Sequence, residues 1–218
     1  MMRSMVRAAI ASTAAVVVMV LSLSAHAATI ISTFDTDAEG WTGIPGEGSL
    51  SYLAAGGNPG GHVRVTDIGV GGPLGSGAIA GPAFSGDLSA FDGGSLSVDM
   101  ATFAGGGGTF PIFGTVRIAG SGNEAFFDLT TTAPGGAWQS YLAPLTAAAW
   151  GVSPADWTAI LASVTEIAIS TDAFDGADTI GIDNFSLESN AVPVPEPGAV
   201  ALLGLGLAGL ALGRHKKA

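Results

Sequence analysis

The chain contains no cysteine. That excludes disulfide staples, thiolate zinc sites and cysteine nucleophiles, so the fold must be held by its own core, with a bound metal as the one remaining cross-link. Charge is scarce as well: charged residues make up 11% of the 218, against about a quarter in an ordinary soluble domain. Lysine is missing altogether from residues 28–191, which excludes a P-loop and Schiff-base chemistry there. Arg64 and Arg117 are the two cations in that stretch; they face seventeen acids, a net charge of −15. A surface of that sign repels phosphate backbones, so nucleic acid is not a partner. His62 is the single histidine of the same stretch, too little for a His/Cys zinc cluster. No G-x-S-x-G elbow occurs, and Gly120-Ser121-Gly122 reads as an ordinary turn.

Glycine is abundant, at 34 residues, and the hydrophobic share is 48%, with a mean hydropathy of +0.50. Both chain ends contribute to that value. Arg3 and Arg7 precede an apolar run from Ala8 to Leu23, and Ala25-His26-Ala27 supplies the A-x-A pattern accepted by signal peptidase. Residues 1–27 therefore read as a cleaved secretion signal ending at Ala27. At the other end, Val192-Pro193-Val194-Pro195-Glu196-Pro197 can neither continue a helix nor pair as a central strand. A purely apolar run from Gly198 to Gly213 follows, then Arg214-His215-Lys216-Lys217. Such a run is expected to form a transmembrane helix that tethers the chain to the inner membrane, with its basic end in the cytoplasm.

Pro195-Glu196-Pro197, an apolar helix and a basic cluster in that order resemble the PEP-CTERM sorting signal of Gram-negative bacteria. The resemblance implies recognition of Pro195, Glu196 and Pro197 by the membrane enzyme exosortase, processing of the tail, and association with extracellular polysaccharide and biofilm. The expected organisation is a signal at 1–27, a globular domain at 28–190 and a sorting tail at 191–218.

Between the ends the period is mostly two. Leu96, Val98 and Met100 alternate with Ser95, Ser97 and Asp99, and Thr115–Ala119 and Glu166–Ser170 repeat the pattern. Weaker strands are expected at Ile30–Phe34, Ser49–Leu53, His62–Thr66, Ala78–Phe84, Ala125–Thr131 and Gln139–Leu142. In Thr179–Glu188 the apolar parity changes between Ile182 and Phe185, which predicts a bulge at Asp183-Asn184. Ser153-Pro154-Ala155-Asp156 opens the one convincing helix, with Trp157, Ile160, Leu161 and Val164 as its apolar stripe. Many short strands and one helix predict an all-β fold, an antiparallel jelly-roll-like β-sandwich.

Parts of this domain resemble the laminin B (laminin IV type A) module and carbohydrate-binding-like sandwiches. The matching residues are Phe34-Asp35 with Gly40-Trp41, Gly86-Asp87-Leu88-Ser89, Gly93 to Val98, Trp138 with Tyr141 to Leu145, and Asp183-Asn184. The resemblance implies an adhesive or structural module without catalysis. Two further readings concern sites. Asp35, Asp37 and Asp183 are hard oxygen ligands near the first and last strands, where they hold a structural calcium ion or stand as solvated acids. Trp41 and Trp138 follow glycine-rich sequence, where they form sugar-stacking platforms or belong to the core. The functional expectation is an exported binding module for polysaccharide; the alternative is a secreted polysaccharide hydrolase working through paired carboxylates.

Overall fold

In strand Ser95–Ala104, Leu96, Val98 and Met100 are fully buried, as their alternation requires of a strand with one face on a core. The structure is a computed structural model that describes residues 27–67 and 74–190. Its strands are β1 Thr29–Ser32, β2 Thr42–Gly43, β3 Gly48–Leu53, β4 His62–Asp67, β5 Gly77–Ile79, β6 Ser95–Ala104, β7 Phe113–Gly120, β8 Asn123–Thr130, β9 Gln139–Pro144, β10 Val164–Ser170 and β11 Thr179–Glu188. They form two antiparallel sheets, β3-β4-β11-β6-β9 with β1 also on β11, and β2-β5-β10-β7-β8. Most sequence neighbours are split between the sheets, β3–β4 and β7–β8 being hairpins within one, which is the jelly-roll character expected from the pattern.

Val63, Val65, Ile180 and Ile182 of the first sheet and Val116, Ile118, Ile167 and Ile169 of the second are buried in one continuous core. Each such side chain contributes about 1.5–3 kcal/mol of burial. With no disulfide available to the chain, this layer holds the fold. The helix α1, Pro154–Leu161, closes one end: Ser153 Oγ accepts the Asp156 N–H at 3.1 Å, and Trp157, Ile160 and Leu161 are buried. Val164, predicted as the last member of the helical stripe, is instead the buried first residue of β10. The segment Ala78–Phe84, predicted as one strand, stops at Ile79 and turns into a 3-10 helix at Pro82–Phe84, because Pro82 has no N–H to give a ladder.

The central strand β11 carries the predicted bulge. Its register against β6 shifts between Asp183 and Ser186, and Asn184 has φ 47°. Residues before the bulge pair with β4 and residues after it with β1, so the irregularity marks where one neighbour hands over to the other. Residues 1–26 of the predicted signal at 1–27, and the predicted sorting tail at 191–218 with its transmembrane helix, lie outside the described residues. Among the described residues no helix is long and apolar enough to cross a membrane.

Candidate functional site

Trp41 is not a platform. Only 3% of it is exposed, its indole N–H donates to Ser32 Oγ at 3.0 Å, and Phe34, Phe84 and Phe185 pack edge-on around it. The β1 end and the 3-10 turn at Pro82–Phe84 converge on the core side of the first sheet, so the ring fills space that solvent cannot reach.

The three carboxylates predicted for calcium do not form a cage either; among the described residues no group of three metal-capable side chains stands together. Asp183 is fully buried, and its two oxygens accept the N–H groups of Asn58 at 2.5 Å and Asn184 at 2.7 Å. Asp35 takes the Thr33 hydroxyl at 2.9 Å, and Asp37 caps the Glu39 N–H at 2.6 Å. What gathers at Asp183 is a polar clip. Asp99 Oδ2 accepts the side-chain amides of Asn58 at 3.0 Å and Asn184 at 2.9 Å, and Asp99 Oδ1 accepts Ser140 Oγ at 2.5 Å. Burial raises the Asp183 pKa, the two N–H donors oppose that, and the charges of Asp99 and Asp35 add to it. The clip fastens the glycine-rich turn at 56–61 onto the outer face of the first sheet.

Trp138 lies on that same face, half-buried, with its indole N–H on the Gly56 carbonyl at 3.0 Å. It stands edge-on to Phe103 and to His62, with ring centroids 5.8 and 5.4 Å away. Phe103, 38% exposed, stacks on the buried His62, and the Arg64 guanidinium carbon sits 3.5 Å from the Phe103 ring centre. Arg64 Nε–H donates to His62 Nε2 at 3.0 Å, which keeps that imidazole neutral; burial and the Arg64 charge both lower its pKa. Gly181 lies beneath these rings: a methyl there would stand 2.5 Å from Phe103 and 2.8 Å from Trp138. Nothing local in the sequence connects His62 to Phe103, because the two are brought together only by the β4-β11-β6 order.

A groove opens on the outer face of the second sheet, with a volume of about 270 Å³. Thr115 of β7, Asp128 of β8 and Ser170 of β10 form its floor, and Asp172, Phe110 and Ile112 its walls. Thr115 Oγ1 donates to Asp128 Oδ1 at 2.6 Å across the β7–β8 pair, so one acceptor is held in place by its cross-strand neighbour. Burial raises the Asp172 pKa, and the charges of Asp67, Glu47 and Asp175 add to it. Further along this face Arg117 pairs with Glu124 and Glu166. Carboxylates, hydroxyls and an apolar wall in one shallow cleft can accept and donate hydrogen bonds to a polyhydroxylated ligand. No single short motif encodes this groove, whose residues come from four separate segments.

Behind the groove wall, Asp178 is 1% exposed. Its Oδ2 accepts the N–H groups of Ala173 and Phe174 at 2.8 and 3.2 Å, while Oδ1 is buried without a protein partner among the described residues. Burial, with the charges of Asp172 and Asp67, pushes its pKa up to about 6 against the pull of the two N–H donors.

Among curated protein sequences nothing matches the chain. A family model for the PEP-CTERM protein-sorting motif matches residues 193–217. Among solved structures, the family 11 carbohydrate-binding module of a cellulosomal cellulase of Clostridium thermocellum is similar at 15% identity and TM-score 0.50, over 76% of this chain and 97% of that one. An exo-beta-agarase is similar at 15% identity and TM-score 0.51 over 75% of this chain; the match spans only 25% of the agarase. The L4b domain of human laminin alpha-2 matches at 15% identity and TM-score 0.48, over 58% of this chain and 80% of that domain. The chain thus carries a PEP-CTERM protein-sorting motif behind a β-sandwich of the fold seen in carbohydrate-binding modules.

Proposed function

We propose that this chain is an exported surface protein whose sandwich binds extracellular polysaccharide, and that exosortase processes it through Pro195, Glu196 and Pro197. The observation that carries the reading is the groove on the second sheet, placed in a chain that ends in a sorting motif. An acceptor preset by Thr115, a second carboxylate at Asp172 and the apolar edge at Phe110 and Ile112 suit a sugar chain, which presents hydroxyls on its rim and C–H groups on its faces. The negative surface, net −15 over residues 28–191, disfavours phosphate-rich partners and leaves neutral glycans unopposed. A glycan array probed with the full chain in detergent tests this. Binding to a defined set of β-linked glycans, weakened at least about tenfold by Asp128→Ala, is expected, because a charge-assisted hydrogen bond to a hydroxyl is worth about 1.5–3 kcal/mol. Absence of binding to every glycan, or indifference to Asp128→Ala, contradicts the reading.

One observation favours hydrolysis as a second reading: Asp128 and Asp172 line the same groove, and burial with neighbouring acids raises the Asp172 pKa. Two carboxylates on one cleft, one of them with a raised pKa, are what a general acid and a base require. Release of reducing ends from a bound glycan, abolished by Asp172→Asn, would establish it; binding without release leaves the module non-catalytic.

A further inference from the structure

We propose a second carbohydrate site on the opposite face, selective for acidic sugars, in which Arg64 pairs with a uronate carboxylate and Trp138 and Phe103 form its apolar wall. The groove on the second sheet plays no part in it. Three observations carry the proposal. First, Arg64 makes no ion pair among the described residues, although seventeen acids stand against two cations in residues 28–191. The other cation, Arg117, holds two carboxylates. Second, Arg64 is held in place without an opposing carboxylate. Its guanidinium lies over Phe103, and Nε–H is fixed on His62, a buried residue whose ring is itself stacked on Phe103. A guanidinium so stacked keeps the donors of its Nη edge for a planar anion, and a carboxylate matches that edge bidentately. Third, a glycine makes the wall possible: Gly181 is the only residue type that leaves room for the rings of Phe103 and Trp138 at their present depth.

Two acids of this face do not claim the cation. Asp99 and Asp183 are committed to Asn58, Asn184 and Ser140, and neither contacts Arg64. Acids elsewhere on the domain lose most of their influence beyond the Debye length, about 8 Å at physiological ionic strength. A lone carboxylate at a sugar C5 therefore meets one preorganised cation beside aromatic surface, which is the chemistry that distinguishes a uronate from a neutral hexose.

The test compares polygalacturonate with the same polymer after carboxyl reduction, titrated into the full chain in detergent. The wild-type chain is expected to bind the acidic polymer about tenfold more tightly. Arg64→Gln should erase that preference, and Arg117→Gln, which changes net charge equally, should leave it intact. Gly181→Ala, which pushes the rings outward, should weaken binding of the acidic polymer while Asp128→Ala does not. Equal affinity for the two polymers overturns the proposal, as does an acid preference that survives Arg64→Gln or falls equally with Arg117→Gln. The Arg64 and Gly181 outcomes leave the groove of the second sheet untouched, since Asp128→Ala is that groove's own variant.

Discussion

At Asp178 one side chain makes the stability of the sandwich depend on pH. The carboxyl is buried beside Asp172 and Asp67, and its pKa of about 6 stands above the usual 3.8. The native state thus holds the proton more tightly than the unfolded chain does. The stability this group contributes is complete below the unfolded value and is lost as pH rises through about 6. Asp178→Asn keeps an oxygen for the Ala173 and Phe174 N–H groups and removes the charge. Thermal melts should show the variant more stable by about 4 °C at pH 8 and unchanged at pH 4, as expected for about 1–2 kcal/mol in a domain of this size. An equal shift at both pH values would mean that packing, not charge, governs the site. His62 acts in the opposite sense: its lowered pKa gives stability that is complete above 6.5 and lost as pH falls through that range. The sequence singles out His62 as the one histidine of residues 28–191, but not its burial or that of Asp178, because burial of a lone acid or histidine is set by segments far away in the chain.

At the scale of elements, legibility followed periodicity. The alternation of Ser95–Thr102 and the parity change in β11 each reported one strand against one core, and both were readable from a window of ten residues. Strand β2 is Thr42–Gly43, too short to carry a period, and it exists because β5 offers it an edge. Phe34, expected at the end of a strand, has φ 52° and turns inward to meet Trp41. Asp99 alternates correctly onto the polar face, but the turn at 56–61 then covers it, and no local pattern announces a clip across 41 and 85 residues. The bulge and the clip are one device, joined at Asn184. Its φ of 47° suits asparagine or glycine, and its amide donates to Asn58 O at 2.5 Å and to Asp99. Denaturant titration should rank wild type above Asn184→Gly, which loses the bonds, and Asn184→Gly above Asn184→Ala, which loses the bonds and strains the backbone. The full span is expected to be about 2–3 kcal/mol. Asn184→Ala as stable as wild type would show that the clip holds nothing.

At the scale of the whole molecule, the sandwich and the sorting motif are separable in sequence. The match at 193–217 begins after the last strand ends at Glu188. Replacing Pro195, Glu196 and Pro197 with alanine should therefore block processing without changing the melting temperature of the domain. Cell fractionation should then find the uncut chain in the membrane. Normal processing of that variant would remove exosortase from the account. The tail was readable because three features occur in fixed order over a short stretch. The groove was not, because Thr115, Asp128 and Ser170 meet only when β10 pairs with β7 and β7 with β8. The central claim is that an exported sandwich holds polysaccharide, and co-sedimentation of the processed protein with the exopolysaccharide of its own culture tests it most directly. The account predicts that the protein sediments with the polymer, is released by an excess of soluble fragments of it, and is retained less by Asp128→Ala. Protein that stays in the supernatant at every polymer concentration would contradict it.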